Sequence, residues 1–233
     1  MKRILIVSAF TIAMLTNAKA QLYVQGGVNL ANITKTTSGQ TEDNNILTTF
    51  NAGILSRFGL SKVIDLETGL LFTGKGSKAE TYYASGSTTD SYIKSKFNPF
   101  YIEVPLNIVL RIPVKGTKGL FIHGGPYGAI GITGKTITDT KFGLATTHSE
   151  RDIEFNNDNL LTSPQEDASY NKLKRFDYGL NLGGGIDLGK VILKANYGYG
   201  LAKLNSLEEN NSVDDKNKYR TLSFSLGLPL SSK

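Results

Sequence analysis

His123 and His148 are the only side chains in the 233-residue chain whose ordinary titration lies near neutral pH. A catalytic histidine needs a nucleophile and an orienting acid within hydrogen-bond reach. Ser223 and Ser225 are the obvious hydroxyls, and nothing in the spacing brings them to His123. The plainer reading makes His123 an interior histidine bonded to a neighbour, and His148 a surface one. The chain has no cysteine, which excludes a disulfide framework, a thiolate metal centre and a thiol nucleophile. Two histidines leave little material for an imidazole metal site, and no cofactor is expected.

Two glycine-rich stretches imitate nucleotide motifs. Ala129-Ile130-Gly131-Ile132-Thr133-Gly134-Lys135-Thr136 fits a relaxed phosphate-loop pattern. Such a loop works only where its glycines open a helix whose first amides cradle phosphate. Here Ile137-Thr138-Asp139-Thr140-Lys141 follows, an alternating, Thr-rich run, so no helix opens and the match reads as the exit of the fifth run. Gly183-Gly184-Gly185 likewise runs into strand and is no dinucleotide fingerprint. Further along, Glu150, Asp152, Glu154, Asp158, Glu166 and Asp167 mingle with Asn156, Asn157 and Asn159. Oxygen ligands at this density could hold Ca²⁺ or bridge to lipopolysaccharide through divalent cations. No EF-hand spacing appears, so a solvated loop is the plainer reading.

The elements that carry these residues show a period of two almost throughout. Eight runs, at about 22–33, 48–59, 64–75, 98–112, 118–133, 174–188, 190–203 and 218–230, alternate apolar residues with Gly, Ser, Asn or charge. The connections sort by parity. After runs two, four and six they are short: Leu60-Ser61-Lys62-Val63, Pro113-Val114-Lys115-Gly116-Thr117, and Gly189. After runs one, three, five and seven they are long and polar, the longest spanning 134–173. A soluble meander has no reason to sort its loops. A barrel threaded through a membrane does, with short periplasmic turns, long extracellular loops and an even strand number. Hydrocarbon offers no partner to an orphan backbone group, so such a sheet must close on itself. The expected fold is all-β: an eight-stranded antiparallel up-and-down transmembrane β-barrel.

The N-terminus fits that destination. Met1-Lys2-Arg3, the apolar stretch Ile4 to Leu15 and the Ala18-Lys19-Ala20 pattern have the layout of a secretory signal peptide. Residues 1–20 are expected to be removed between Ala20 and Gln21, leaving residues 21–233 as the barrel domain. The excess of 26 basic over 20 acidic residues then falls to 23 over 20. No basic cluster remains to suggest nucleic acid.

Parity also assigns the charges. Arg57, Asp65, Glu67, Glu103, Arg111, Arg175, Asp177, Asp187 and Lys194 fall on the face opposite the apolar residues, five acids against four bases. In a barrel of eight strands the interior is filled by side chains, so these form a lumen network. Counting back from the turn near residue 62 sets Arg57 opposite Glu67. Asn107, Asn181, Ser223 and Ser225 share the inner face, while Leu106, Leu180, Leu182, Phe224 and Leu226 face lipid. Tyr23, Phe50, Phe97, Phe100, Tyr101 and Tyr219 lie near strand ends, where aromatic girdles are expected.

Gly26-Gly27-Val28-Asn29-Leu30-Ala31-Asn32-Ile33 resembles the first strand of the Bacteroidetes outer-membrane beta-barrel domain proteins, the porin family or PorT-like proteins. Tyr101-Ile102-Glu103-Val104-Pro105-Leu106-Asn107 resembles that family's midpoint strand, Gly124-Gly125-Pro126-Tyr127 the next, and Ala20-Gln21 its cleavage junction. The resemblance implies an eight-stranded barrel of the Gram-negative outer membrane. It also implies kinship with members that serve in secretion or gliding machinery.

The leading expectation is a non-enzymatic integral outer-membrane protein. It would act through its long extracellular loops or as a component of an envelope assembly. Its expected partners are outer-membrane lipid and lipopolysaccharide, the outer-membrane insertion machinery and an envelope protein. A soluble exported lipocalin-like barrel holding a small apolar ligand is the alternative, and it would point its apolar residues inward. A lipid-modifying outer-membrane enzyme is the third reading, and it would depend on His123.

Overall fold

The computed structural model describes residues 20–37, 40–43, 46–83, 91–114, 119–155, 172–202, 204 and 218–230. In chain order the strands are β1 (Ala20–Thr37), β2 (Gln40–Asp43), β3 (Leu47–Gly59), β4 (Ile64–Gly74), β5 (Ser77–Tyr83), β6 (Ser91–Ile112) and β7 (Gly119–Phe142). They continue with β8 (Ala145–Asp152), β9 (Glu154–Phe155), β10 (Lys172–Leu173), β11 (Phe176–Asp187), β12 (Ile192–Gly200) and β13 (Lys218–Pro229). Eight of them form a closed ring, β1–β3–β4–β6–β7–β11–β12–β13 and back to β1, every pair antiparallel. No described helix is long and apolar enough to cross a membrane; the strands cross instead.

The alternation decides which face closes inward. On β6, Glu103, Asn107 and Val109 are 8%, 1% and 0% exposed, whereas Val104, Leu106 and Ile108 between them are 45%, 48% and 45% exposed. The same reversal of the soluble pattern runs round the ring. Leu180, Leu182, Phe224 and Leu226 are exposed, while Asn181 and Ser225 are buried. A lipocalin would need the opposite parity, so the soluble-barrel alternative fails on this observation. Wrapped in lipid, the outward side chains leave water and stabilise the inserted state.

The tight turns gather at one end. Leu60 and Ser61 N–H both donate to Ile64 O at 2.9 Å. Gly189 takes φ +87°, a left-handed conformation that glycine adopts freely, and its N–H donates to Asp187 Oδ1 at 2.8 Å. This end is periplasmic by the loop-length rule.

At the other end the barrel does not stop where the alternation suggested. The 134–173 connection, expected to be loop, begins as strand, and so does most of the stretch after run three. β5 pairs with Ser91–Phe97 of β6, β6 pairs on with Lys135–Lys141 of β7, and β7 turns at Gly143 (φ +59°) into β8. The β-branched alternation of Ile137-Thr138-Asp139-Thr140 supports a ladder as readily in water as in lipid. A bulge joins the two parts: Phe100 pairs with Thr133 but Tyr101 with Gly131, leaving Ile132 extra on β7. One extra residue exchanges the faces, so Ile130 and Ile132 point outward below it, and Thr133 and Lys135 above.

Candidate functional site: a sealed, charge-paired lumen

The inner wall holds two ionic centres. At the periplasmic level Glu67 is fully buried and accepts from Arg57 Nε at 2.7 Å, Tyr23 OH at 2.7 Å, Asn107 Nδ2 at 3.2 Å and Lys194 Nζ. Arg57 and Glu67 face each other across β3 and β4, as the turn count required. The Phe121 ring lies 4.1 Å from the Arg57 guanidinium carbon. Below this centre Arg111 Nη2 donates to Asp65 Oδ1 at 2.6 Å, and Asp187 closes the β11–β12 turn.

Nearer the outside, Lys75 occupies the second centre. Its Nζ lies 2.7 Å from Asp177 Oδ2 and 3.0 Å from Glu103 Oε2, and 4.2 Å from the centroid of the Tyr127 ring. Tyr127 OH donates to the same Asp177 oxygen at 3.1 Å. Between the centres lies a neutral amide layer. Asn51 donates to Asn29 at 2.6 Å and accepts from Gln25 and Ser225, while Asn181 accepts from Asn196 and donates to Glu103. The cavity within that layer is about 40 Å³, with Ser223 on its wall. That is room for a water or two.

An apolar cluster, the lid, packs across the extracellular end among the described residues. Ile153, Leu173 and Leu204 are buried against Phe97, Tyr101, Tyr127 and Tyr219, with Phe155 packed beside them. The Phe155 and Tyr101 rings meet edge to face at 5.5 Å. A Cβ at Gly131 would lie 2.1 Å from the Phe155 ring, so the missing side chain is what seats the lid.

Of the nine charges assigned to the lumen, eight line it. Arg175 does not: it is exposed in the bend ahead of β11, one residue beyond the start of the ladder at Phe176. Lys75 takes its place in the balance. It continues the inward parity of Asp65 and Glu67 at the very end of run three, and that parity could have found it. The girdle expectation is corrected as well. Tyr23, Phe97, Tyr101 and Tyr219 are buried inside the barrel. Only Phe50 and Phe100 face outward, joined by Phe72 in a cluster with centroids 5.0–5.8 Å apart.

His123 is 2% exposed, and neither ring nitrogen has a side-chain hydrogen-bond partner. Ser225 donates to Asn51 instead, so no Ser–His pair assembles there. His148 stands exposed on β8 with Nδ1 2.6 Å from Asp139 Oδ1. Residues 129–136 are extended along β7, so no helix opens to receive phosphate, and Gly183–Gly185 lie inside β11. Of the acidic segment, Glu150 pairs with Lys135 across β7 and β8. Asn156, Asn157, Asp158, Asn159, Glu166 and Asp167 lie outside the described residues, as do residues 1–19 of the proposed signal. Ala20 and Gln21 are the first residues of β1, opposite Phe58 and Arg57.

A family model for the outer membrane protein beta-barrel domain matches residues 16–206. Comparison with curated proteins gives no match. Among solved structures the chain is similar to Ail, the attachment invasion locus protein of Yersinia pestis. The identity is 15%, over 91% of this chain and 99% of that one, at a TM-score of 0.41. It is also similar to Neisserial surface protein A, at 13% identity over 90% and 97% of the two chains and a TM-score of 0.39. The match over most of the chain joins the closed ring and its outward apolar band: the chain belongs to the outer membrane protein beta-barrel domain family and is an integral barrel of the cell outer membrane.

Proposed function

We propose that this barrel is a non-enzymatic, non-conducting scaffold that presents its extracellular sheet to another envelope component. One observation carries the reading: β5, β6, β7 and β8 continue as a sheet beyond the membrane band, above a lumen filled by two ionic centres and a lid. Such a lumen stabilises the wall and leaves no path for solute, so the work falls to the exposed sheet. The first-strand and midpoint motifs support membership of the PorT-like branch of the family and a place in a secretion or gliding assembly. Residues 1–20 serve as the export signal, and the insertion machinery delivers the barrel to lipid.

A photo-crosslinker at exposed Thr147 of β8 is expected to capture a discrete envelope protein in living cells, whereas one at lipid-facing Leu182 captures none. Planar bilayers carrying the purified protein are expected to stay silent, and lipopolysaccharide and phospholipid to keep their acyl chains. Steady single-channel current would overturn the sealed lumen. Acyl release lost on His123→Ala would make the protein an enzyme.

A further inference from the structure

We propose that the outer wall, just above the Phe50–Phe72–Phe100 cluster, binds the phosphorylated headgroup of an outer-leaflet glycolipid. The inference rests on the outer-membrane placement; its lysines stand at the base of the extracellular sheet, and the site needs no partner protein. A cavity of about 530 Å³ opens there between the extracellular ends of β3, β5, β6 and β7. Three cations line it: Lys78, Lys96 and Lys135. Lys78 and Lys96 are paired across β5 and β6, while Lys135 pairs with Asn98 across β6 and β7. Three strands therefore bring three cations to one concavity.

The remaining wall suits a sugar headgroup on an acyl base. Thr48, Thr133 and Asn98 supply hydroxyl and amide groups, and the Asn98 Oδ1 has no hydrogen-bond partner. Phe100 forms part of the same wall, at the edge of the apolar band. A lipid seated with its chains along that band would raise its phosphates to the height of the lysines. The bulge at Ile132 is what turns Thr133 and Lys135 to this outer side. Two lysines already have acidic neighbours: Glu80 lies 3.7 Å from Lys78, and Glu150 pairs with Lys135. Exposed pairs of this kind are weak and open readily to a phosphate, which accepts from several donors at once. Lys96 has no ion-pair partner among the described residues.

The test uses the full-length protein folded in detergent, titrated with lipid A, with dephosphorylated lipid A and with inorganic phosphate. The wild type is expected to bind lipid A at least about tenfold more tightly than the Lys78→Gln/Lys96→Gln/Lys135→Gln variant, with heat-shifted gel mobility confirming that both are folded. The corresponding triple Lys→Arg variant restores binding, and Lys62→Gln in the periplasmic turn leaves it unchanged. Should the triple variant not fold, Lys96→Gln alone is measured and is expected to weaken lipid A binding. Equal affinity for the dephosphorylated lipid, or no loss in the Gln variants, overturns the proposal. Displacement of lipid A by an equimolar amount of inorganic phosphate would make this a free-anion site and overturn the lipid assignment.

Discussion

The two ionic centres of the lumen are mirror images. Glu67 is one acid held by two bases, Arg57 and Lys194, whereas Lys75 is one base held by two acids, Glu103 and Asp177. Each cluster alone carries an uncompensated charge, and the two cancel across the amide layer between them. The clusters differ in what supports them. Glu67 is the shared acceptor of four donors, so its neighbours depend on it. The acids around Lys75 keep other partners, since Asp177 accepts from Tyr127 and Glu103 from Asn181. A charge that organises its neighbours is harder to lose than one that completes them.

The largest expected effect follows from that asymmetry. Glu67→Gln leaves two buried cations facing each other and is expected to cost about 3–5 kcal/mol in urea titrations of the liposome-folded protein. Lys75→Gln is expected to cost clearly less, because a neutral donor still reaches acids that retain their own bonds. A Glu67→Met/Arg57→Met/Lys194→Met triple variant should lose less than Glu67→Gln alone, since the acid and both of its bases go together. Equal losses for Glu67→Gln and Lys75→Gln would remove the distinction between the centres.

A second pair of variants compares the two faces of one strand. Leu182 points to lipid from the middle of β11, and its neighbour Asn181 points into the lumen. Leu182→Arg is expected to cost about 2–4 kcal/mol near the midplane. Asn181→Arg places its head beside Glu103, with Asp177 on the same inner face of β11, where pairing offsets crowding, so its loss is expected to be smaller. The reverse order would mean that the faces are exchanged.

The ring and the lower centre were legible because the inner and outer faces of a membrane strand differ so sharply in polarity. Parity alone placed Glu103, Asn107 and Asp187, and a turn count set Arg57 against Glu67. Legibility failed where the pattern met a boundary. Arg175 shares the parity of Asp177 but stands beyond the ladder, which sequence does not mark. Lys75 ends its run, where a lysine reads as the start of a loop. Tyr101 and Tyr219 were read by type, as girdle residues, although their parity put them inside. The sheet above the membrane was hidden because its Thr and Lys residues are as compatible with loop as with strand. It took the pairing of β5 and β8 to distinguish them.

The lid offers a smaller effect that separates sealing from stability. Gly131→Val drives a side chain into the place of the Phe155 ring and is expected to displace β9. Amide exchange at Phe155 should rise, while exchange on β3 and β4 around Glu67 stays as in the wild type. Faster exchange at both levels would mean that the lid and the lower centre open as one unit.

The smallest effect belongs to the extracellular sheet, where ion pairs sit in water. Lys135 stands opposite Asp152 across β7 and β8 and reaches diagonally to Glu150, both members of that ion pair well exposed. The hydrogen bond from Lys135 holds the Glu150 carboxyl below its ordinary value, and the same contact raises Lys135. A lowered carboxyl contributes fully above the pKa of the unfolded chain, and its contribution is lost as pH falls through the folded value. Protection of the β7–β8 amides is therefore expected to be greatest at neutral pH, to fall under acid below the ordinary carboxylate range, and to weaken in high salt. Glu150→Gln should reduce both dependences, leaving those of the Asp139–His148 pair on the same strands, without moving the urea midpoint of the barrel, because no buried charge loses its partner. A shifted midpoint would show that the sheet and the ring unfold together, and the extension would then be part of the barrel's stability rather than an appendage to it.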